Sequence, residues 1–422
     1  MKPRTKLEQA VDHLAETLPT LTKSQRKWAF RECISHYAFR LPKGRTTCMD
    51  CGHTWMIGQS GKKQCRCPQC RATLEIKDTM ARKWEDKAYF TVLTTCGGYQ
   101  VLRMFMIAVV MSKQTQAHSV VHEVGQYWWN ERGKKVLIGR LRTLGMYVDS
   151  FSFVQPMVLR RDCDAFQYVA NSPMYPKVKL INTLIRNGLN ADFHNVYPSA
   201  LIPLLLTDNR AETMWKTGQY ELLRYYADSR FNMDVYWPAI KICIRNHYII
   251  EDGGLWRDMI DALRFFNRDI RNPKYVCPAN LLEEHNKWLA KRRKEEKKKQ
   301  EEERRKQLLE DEEHYREAKG AYFGLVIADG QISVKVIESV REMILEGEKM
   351  HHCVGTYHDK EDSLIMSATI DGKRIETVEV SLTTLKVVQS RGVCNSNTEY
   401  HDRIIALVEQ HADMIRQRMS AA

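Results

Sequence analysis

With 422 residues, 43 % of them apolar and 28 % charged, the chain has the make-up of a globular protein of two to four domains and is too long for one small core. Its 65 basic residues outnumber the 52 acidic ones and leave a net charge of +13, which draws phosphate-rich polyanions towards the surface. The opening residues carry no apolar segment of the signal-peptide kind, and the densest apolar runs, 104–111 and 200–206, fall far short of the roughly 18 residues that span a bilayer. A secreted or membrane-spanning protein is therefore excluded as a reading. The expectation is a cytoplasmic chain whose twelve cysteines are reduced or bound to metal.

Residues 1–47 read as helical. Thr22 and Ser24 offer a cap, and Trp28, Ala29, Cys33, Ile34 and Tyr37 recur at helix spacing. The opposite face carries Arg26, Lys27, Arg31 and His36, a candidate phosphate-contacting surface.

Next come two C-x-x-C pairs, Cys48-Met49-Asp50-Cys51 and Cys67-Pro68-Gln69-Cys70, separated by the fifteen residues 52–66. Two such turns aim four thiolates at one point and supply a closed tetrahedral site with no position left for water, so a structural Zn(2+) held by Cys48, Cys51, Cys67 and Cys70 is expected. Cys65 is a fifth thiol in the neighbourhood; only Cys67 keeps the two-residue spacing to Cys70. A short strand after Gly52, a glycine-rich turn at 58–61 and a strand over 71–76 complete a zinc ribbon.

From Trp84 the pattern becomes that of strands. Residues 88–95 and 99–111 flank Cys96-Gly97-Gly98, and residues 117–129 and 135–141 flank a turn with Gly133, so antiparallel hairpins are expected. Tyr127, Trp129, Arg140 and Arg142 are candidates for a basic stacking platform for single-stranded nucleic acid. Between 177 and 289 the period turns helical, with Asn187-Gly188 as a helix stop and further helices over 211–226, 234–247 and 255–266. Residues 287–319 hold 13 basic and 10 acidic residues without an apolar seam, the pattern of a solvated helical linker.

The remaining segment reads as a small α+β domain. Strands over 322–327 and 331–336, a helix over 337–346, a hairpin of 363–370 with 374–382 across Asp371-Gly372, a strand over 385–390 and a closing amphipathic helix over 401–419 are expected. Within it stands Met350-His351-His352-Cys353-Val354-Gly355-Thr356-Tyr357, and later Gln389-Ser390-Arg391-Gly392 with Asn395. His351, His352, Cys353, Gln389 and Arg391 are the candidate catalytic set, since a thiol needs a base and an arginine holds phosphate or carboxylate. His352 and Cys353 are sequence neighbours and diverge on helix or strand alike, so a thiol–imidazole pair requires His351, His358 or His401.

The fold class that emerges is multidomain α+β: residues 1–83 helix and zinc ribbon, 84–170 antiparallel β, 171–286 helical, 287–319 linker, 320–422 a small α+β domain. The chain resembles the PcfJ-like family of conjugative plasmids, related mobile elements and phages. The likeness rests on the His-His-Cys-Val-Gly block, on Gln389-Ser390-Arg391-Gly392 with Asn395, and on Trp256-Arg257-Asp258-Met259-Ile260 leading to Pro278-Ala279-Asn280-Leu281 and His285. It implies a setting in DNA mobility and assigns no chemistry. The leading expectation is a zinc-containing nucleic-acid-binding accessory protein of a mobile element, with DNA and RNA both open. The alternatives are a nuclease or thiol-dependent hydrolase built on the C-terminal block, and a scaffold whose helical middle docks other transfer or phage proteins. Walker-type and Gly-x-Gly-x-x-Gly loops are absent, which removes a nucleotide-driven motor.

Overall fold

The computed structural model describes residues 2–58, 63–145, 148–161 and 164–419. They fall into two units, Met1–Leu289 and Ala290–Ala422. The fold is α+β throughout, with antiparallel sheets in both units.

Two capping boxes start the first unit. Thr5 with Glu8 opens α1 (Lys6–Ala15), and Thr22 with Gln25 opens α2 (Lys23–Cys33). Each cap satisfies amide groups that a helix start would otherwise leave unpaired. The helical reading of residues 1–47 ends at Cys33: Ile34 is already extended, and β1 (Tyr37–Arg40) follows with all four residues buried. Beside it lie β2 (Arg45–Cys48), β3 (Thr54–Met56), β4 (Gln64–Arg66) and β5 (Thr73–Asp78), in the order β3-β2-β1-β5-β4. β1 runs parallel to β5, a pairing between distant segments that overrides the local helical period. The glycine-rich turn expected at 58–61 lies largely outside the described residues.

A second sheet follows: β6 (Lys83–Cys96), β7 (Tyr99–Ser112), β8 (His118–Trp129) and β9 (Lys135–Gly139) pair in sequence. β10 (Arg142–Gly145) and β11 (Val148–Phe151) form a separate ribbon, and β12 (Val158–Arg160) pairs with β9. Strand alternation decides what each face buries. Phe90, Phe105 and Ile107 face α2, and Val101, Trp128 and Ile138 face α1. Leu93, Leu102, Tyr127 and Trp129 join a large core with the helices that follow.

Those helices are α3 (Gln167–Ala170), α4 (Asn182–Arg186), α5 (Pro198–Thr207), α6 (Asn209–Lys216), α7 (Tyr220–Ser229), α8 (Met233–Arg245), α9 (Gly253–Phe265) and α10 (Pro273–Val276). The single helix read over 211–226 is two, because Thr217-Gly218-Gln219 interrupts it with Gly218 at φ +77°. The charge run lies in α11 (Leu281–Lys319), a helix of 39 residues that contains the unit boundary.

The second unit is built on the sheet β13 (Val326–Ala328), β14 (Ile332–Val336), β15 (Ser363–Ile370), β16 (Lys373–Ser381) and β17 (Val387–Arg391), whose spatial order follows the sequence. One face packs Val334, Met366, Val378 and Val380 against α13 (His401–Gln410) and Ile415 of α14 (Ala412–Met419). The other packs Ile365 with Met343 of α12 (Val340–Met350), with Val354 and with Tyr315. α12 starts three residues later than its period suggests, because Ser339 is its cap and accepts the Glu342 amide. No helix among the described residues is long and apolar enough to cross a membrane.

Candidate functional sites: a four-thiol knuckle and a polar pocket

The ligand atoms of Cys48, Cys51, Cys67 and Cys70 all lie within 4.8 Å of one another. Cys48 Sγ is 3.7 Å from Cys70 Sγ, and Cys51 Sγ is 3.7 Å from Cys67 Sγ. A tetrahedral ion with metal–sulfur bonds of about 2.3 Å sets its sulfurs about 3.8 Å apart, whereas a disulfide brings them to about 2 Å. The donor set therefore fits a metal ion and not a pair of disulfides. Cys65 stays outside the cluster, so the spacing argument for Cys67 holds.

The two turns are built alike. The residue after each second cysteine is left-handed, Gly52 at φ +76° and Arg71 at φ +60°, and its amide returns to the first cysteine's carbonyl. The Gly52–Cys48 and Arg71–Cys67 bonds measure 2.9 and 3.0 Å. Glycine is free to adopt that conformation, while an arginine there costs about 1 kcal/mol or more. Burial pushes the thiols of Cys48 and Cys70 up, the latter to about 11. A bound cation reverses that tendency, because the ligand is the thiolate and metal binding releases the proton. Asp50, inside the first turn, bonds His36 Nδ1 at 2.9 Å, and His36 Nε2 meets Arg31 O at 3.1 Å. The Asp50 bond raises the His36 pKa against the cost of burial, tying the end of α2 to the knuckle.

Arg26, Lys27 and Arg31 are exposed on α2, with Arg31 bonded to Glu32 at 2.7 Å. The stacking platform requires correction. Tyr127 and Trp129 are 3 % and 0 % exposed, because the odd positions of β8 face the helical core. Arg140 and Arg142 hold backbone instead: Arg140 donates to Glu123 O (2.8 Å) and Gln155 O (2.7 Å), and Arg142 to Ala165 O. Each also lies over an aromatic ring, Phe153 and Phe151 respectively. These four side chains form no exposed stacking platform on the sheet surface.

In the second unit, β16 and β17 pair Thr377 with Arg391 and Glu379 with Gln389 on one face. Above that face, a short 3-10 helix, Cys353–Asp359, brings Cys353 and Tyr357. Gly347 of α12 makes the approach possible: a Cβ there would stand 2.9 Å from His352 O. Together these elements enclose a cavity lined by His352, Cys353, Tyr357, Glu379, Gln389 and Arg391, with about 30 Å³ of space, the share of roughly one water molecule. Four of the five candidate catalytic residues thus converge. His351 does not: it is exposed at the C-terminus of α12 in a left-handed conformation.

The hydrogen bonds form a chain. Cys353 Sγ meets Tyr357 Oη at 3.5 Å, Gln389 Nε2 lies 3.5 Å from the same oxygen and donates to Glu379 Oε2 at 2.6 Å. Glu379 also accepts from Lys360 (2.7 Å) and Ser363 (2.6 Å). Burial opposes its charge, but these three donors outweigh burial and hold the carboxyl below its usual range. His352 Nε2 meets Thr377 Oγ1 at 3.1 Å, and Thr377 donates to Glu346 at 2.9 Å. Burial lowers the His352 pKa, so the imidazole is neutral near pH 7. His358 pairs with Asp359, and His401 with Glu376 on the opposite face of the sheet. Among the described residues no histidine bonds the Cys353 sulfur, so the expected thiol–imidazole pair is not formed. Sequence reasoning missed Tyr357, Thr377, Glu379 and Glu346. Charged residues inside the apolar strand β16 were the available signal.

Residues 255–405 match the family model described as PcfJ-like protein, the family read from the His-His-Cys-Val-Gly block. The match encloses the whole pocket of the second unit and leaves the four-thiol knuckle outside it. No curated protein and no solved structure matches the chain.

Proposed function

We propose that this protein is a zinc-ribbon nucleic-acid-binding accessory protein of a mobile genetic element. Zinc is the ion we assign to the knuckle, since a closed set of four thiolates is the donor set of structural zinc. One observation carries the nucleic-acid reading: exposed cations flank the knuckle cysteines along the chain. Lys63, Arg66 and Arg71 border the second turn, and Lys43 and Arg45 stand at the start of the neighbouring strand. Arg66 Nε donates to Arg71 O at 3.0 Å, which ties the Arg66 guanidinium to the backbone of the second turn. Arg71 occupies the left-handed position where glycine costs nothing, so the backbone gives no reason for an arginine there and its charge does. Arg26, Lys27 and Arg31 on α2 extend the same cationic character.

The test is binding of single- and double-stranded oligonucleotides over a salt series. Affinity is expected to fall linearly on a log–log plot, by about 0.7–0.9 for each phosphate contact. The double variant Arg66→Gln/Arg71→Gly should flatten that slope by about two units while the ribbon remains folded. An unchanged slope, or no association with either DNA or RNA, rejects the reading.

A second reading is enzymatic and rests on the C-terminal pocket, where a thiol, a phenol, a carboxylate and a guanidinium meet. The small cavity admits only the end of a substrate, which leaves the bulk of it outside along the rim at Arg391. Loss of a turnover in Cys353→Ala, with folding and nucleic-acid binding unchanged, supports it; an unchanged rate removes the thiol from the chemistry.

A further inference from the structure

An opening in the first unit lies between the end of the β8–β9 hairpin and three helices, with a volume of about 530 Å³, within the range of small-molecule sites. Its inner wall is Trp129, fully buried, and the indole Nε1 has no hydrogen-bond partner among the described residues. Buried donors are rarely left unpaired, because the lost hydration costs about 1–3 kcal/mol. An acceptor brought into the cleft would satisfy this one.

The rest of the lining favours an anion. α5 starts at the cleft: its cap residue Tyr197 supplies no side-chain bond, and Ser199 in the first turn also lines the opening. Pro198 carries no N–H and the Ala200 amide bonds Tyr197 O at 3.0 Å, so this helix start offers the Ser199 amide together with the partial positive charge of the helix end. Lys135, directly across the strands from Trp129, holds its ammonium 4.6 Å from the Tyr127 ring centre. Arg230, at the C-terminus of α7, keeps a left-handed backbone (φ +49°) and lines the rim. Asp228 is the one carboxylate among the described lining residues. Ser199 Oγ donates to Asn171 Oδ1 at 2.5 Å, so what Asn171 offers a ligand is its N–H₂. Aromatic walls, donors and two cations around one cleft suit a planar ring that carries acceptors and an attached phosphate.

We infer that this cleft binds a nucleoside 5′-phosphate, its base accepting from the Trp129 indole and its phosphate held by Lys135, Arg230 and the start of α5. The inference stands apart from the ribbon, since none of these residues belongs to it. The same chemistry is offered by a free mononucleotide and by the 5′ end of a strand. Full-length protein labelled with ¹⁵N-tryptophan reports the contact directly, with the Trp129 indole resonance assigned through Trp129→Phe. The probes are adenosine and uridine 5′-monophosphate, and a thymidine tetranucleotide with either a 5′-phosphate or a 5′-hydroxyl. The expected result is a saturable shift of that resonance by a mononucleotide, by the phosphorylated strand, or by both, which identifies the source. Lys135→Gln and Arg230→Gln, both at exposed positions, should each weaken binding about tenfold while the other indole resonances keep their positions. No shift at millimolar concentration overturns the inference. So does an equal response to the hydroxyl-ended strand, or unchanged affinity in both charge variants.

Discussion

The ribbon of the first unit and the sheet of the second each have five strands, yet they are held in opposite ways. Inside the ribbon the buried cluster is Ala38, Leu74 and two of the four cysteines. Two apolar side chains of that size supply only a few kcal/mol on burial, and Tyr37, Phe39 and Met49 of the same segment are buried instead in a cluster shared with α2 and the second sheet. Within the four-thiol cluster itself, metal coordination would supply what so few apolar contacts do not. The sheet of the second unit buries apolar side chains on both faces and has enough stability to bury glutamates as well: Glu346, Glu376 and Glu379 are each at most 5 % exposed. The small thiol cluster thus would lean on an ion, and the large core accommodates charge where hydrogen bonds meet it.

Removing the ion breaks the comparison most severely. Structural zinc contributes about 10–16 kcal/mol to folding of small sites, so chelation or Cys48→Ser should unfold the ribbon outright. Metal analysis and protease cutting within residues 36–82 measure this. The strands β15–β17 should keep their hydrogen-exchange protection, and if they lose it the two cores are not independent in stability. Tryptophan fluorescence reports only the first unit in such experiments, since all nine tryptophans lie there.

Next in size is Glu346→Ala. Its carboxylate accepts from Ser367 (2.7 Å), Thr377 (2.9 Å) and Arg374. Truncation strands these donors in a buried setting and is expected to cost about 3–5 kcal/mol, read as a fall in the denaturant midpoint of β15–β17 protection. A loss under 1 kcal/mol would mean that the buried charge is not part of what holds this sheet.

Acid should dissolve the second unit in two steps of opposite chemistry. The folded His352 pKa is depressed, so its contribution is complete above the ordinary value of about 6.5 and disappears as pH falls through the lower folded value. Glu376 and Glu379 are also depressed. In both, burial works the other way, and bonds from Ser390, Thr398 and His401 to the first and from Lys360, Ser363 and Gln389 to the second prevail. Their contribution is present above about 4.3 and is lost as pH drops through the folded values. His352→Gln should remove the upper step and leave the lower one. Exchange protection of β16 against pH checks both.

How far the sequence could be read follows the same divide. The four-cysteine spacing, the hairpins at Gly97-Gly98 and Asp371-Gly372, and the family block are local signals, and each stands where the pattern put it. What escaped depends on partners far along the chain. β1 reads as helix until β5 pairs with it. Tyr127 and Trp129 read as a surface until helices far later in the chain cover them. The pocket was half legible: Gln389 and Arg391 share a face by strand period, but Thr377 and Glu379 join them only through the register of β16 against β17.

The smallest stability change expected is that of Cys353→Ala, and it sharpens the comparison between the two sets of thiols. The knuckle cysteines include fully buried members, whereas Cys353 is exposed and meets only the edge of the polar chain through Tyr357 at 3.5 Å. A substitution at such a position changes stability by about 0.5 kcal/mol or less, against complete loss of the ribbon for Cys48→Ser. Tyr357→Phe separates two roles for this corner. It removes the hydroxyl that both Cys353 and Gln389 approach but leaves the Gln389–Glu379 bond of 2.6 Å in place. If the thiol alone matters for a reaction, Cys353→Ala abolishes it and Tyr357→Phe reduces it. If the carboxylate end of the chain carries the chemistry, both variants retain it and Glu379→Gln does not. Rates of the three variants, measured beside unchanged thermal midpoints, decide which end of the chain faces the substrate.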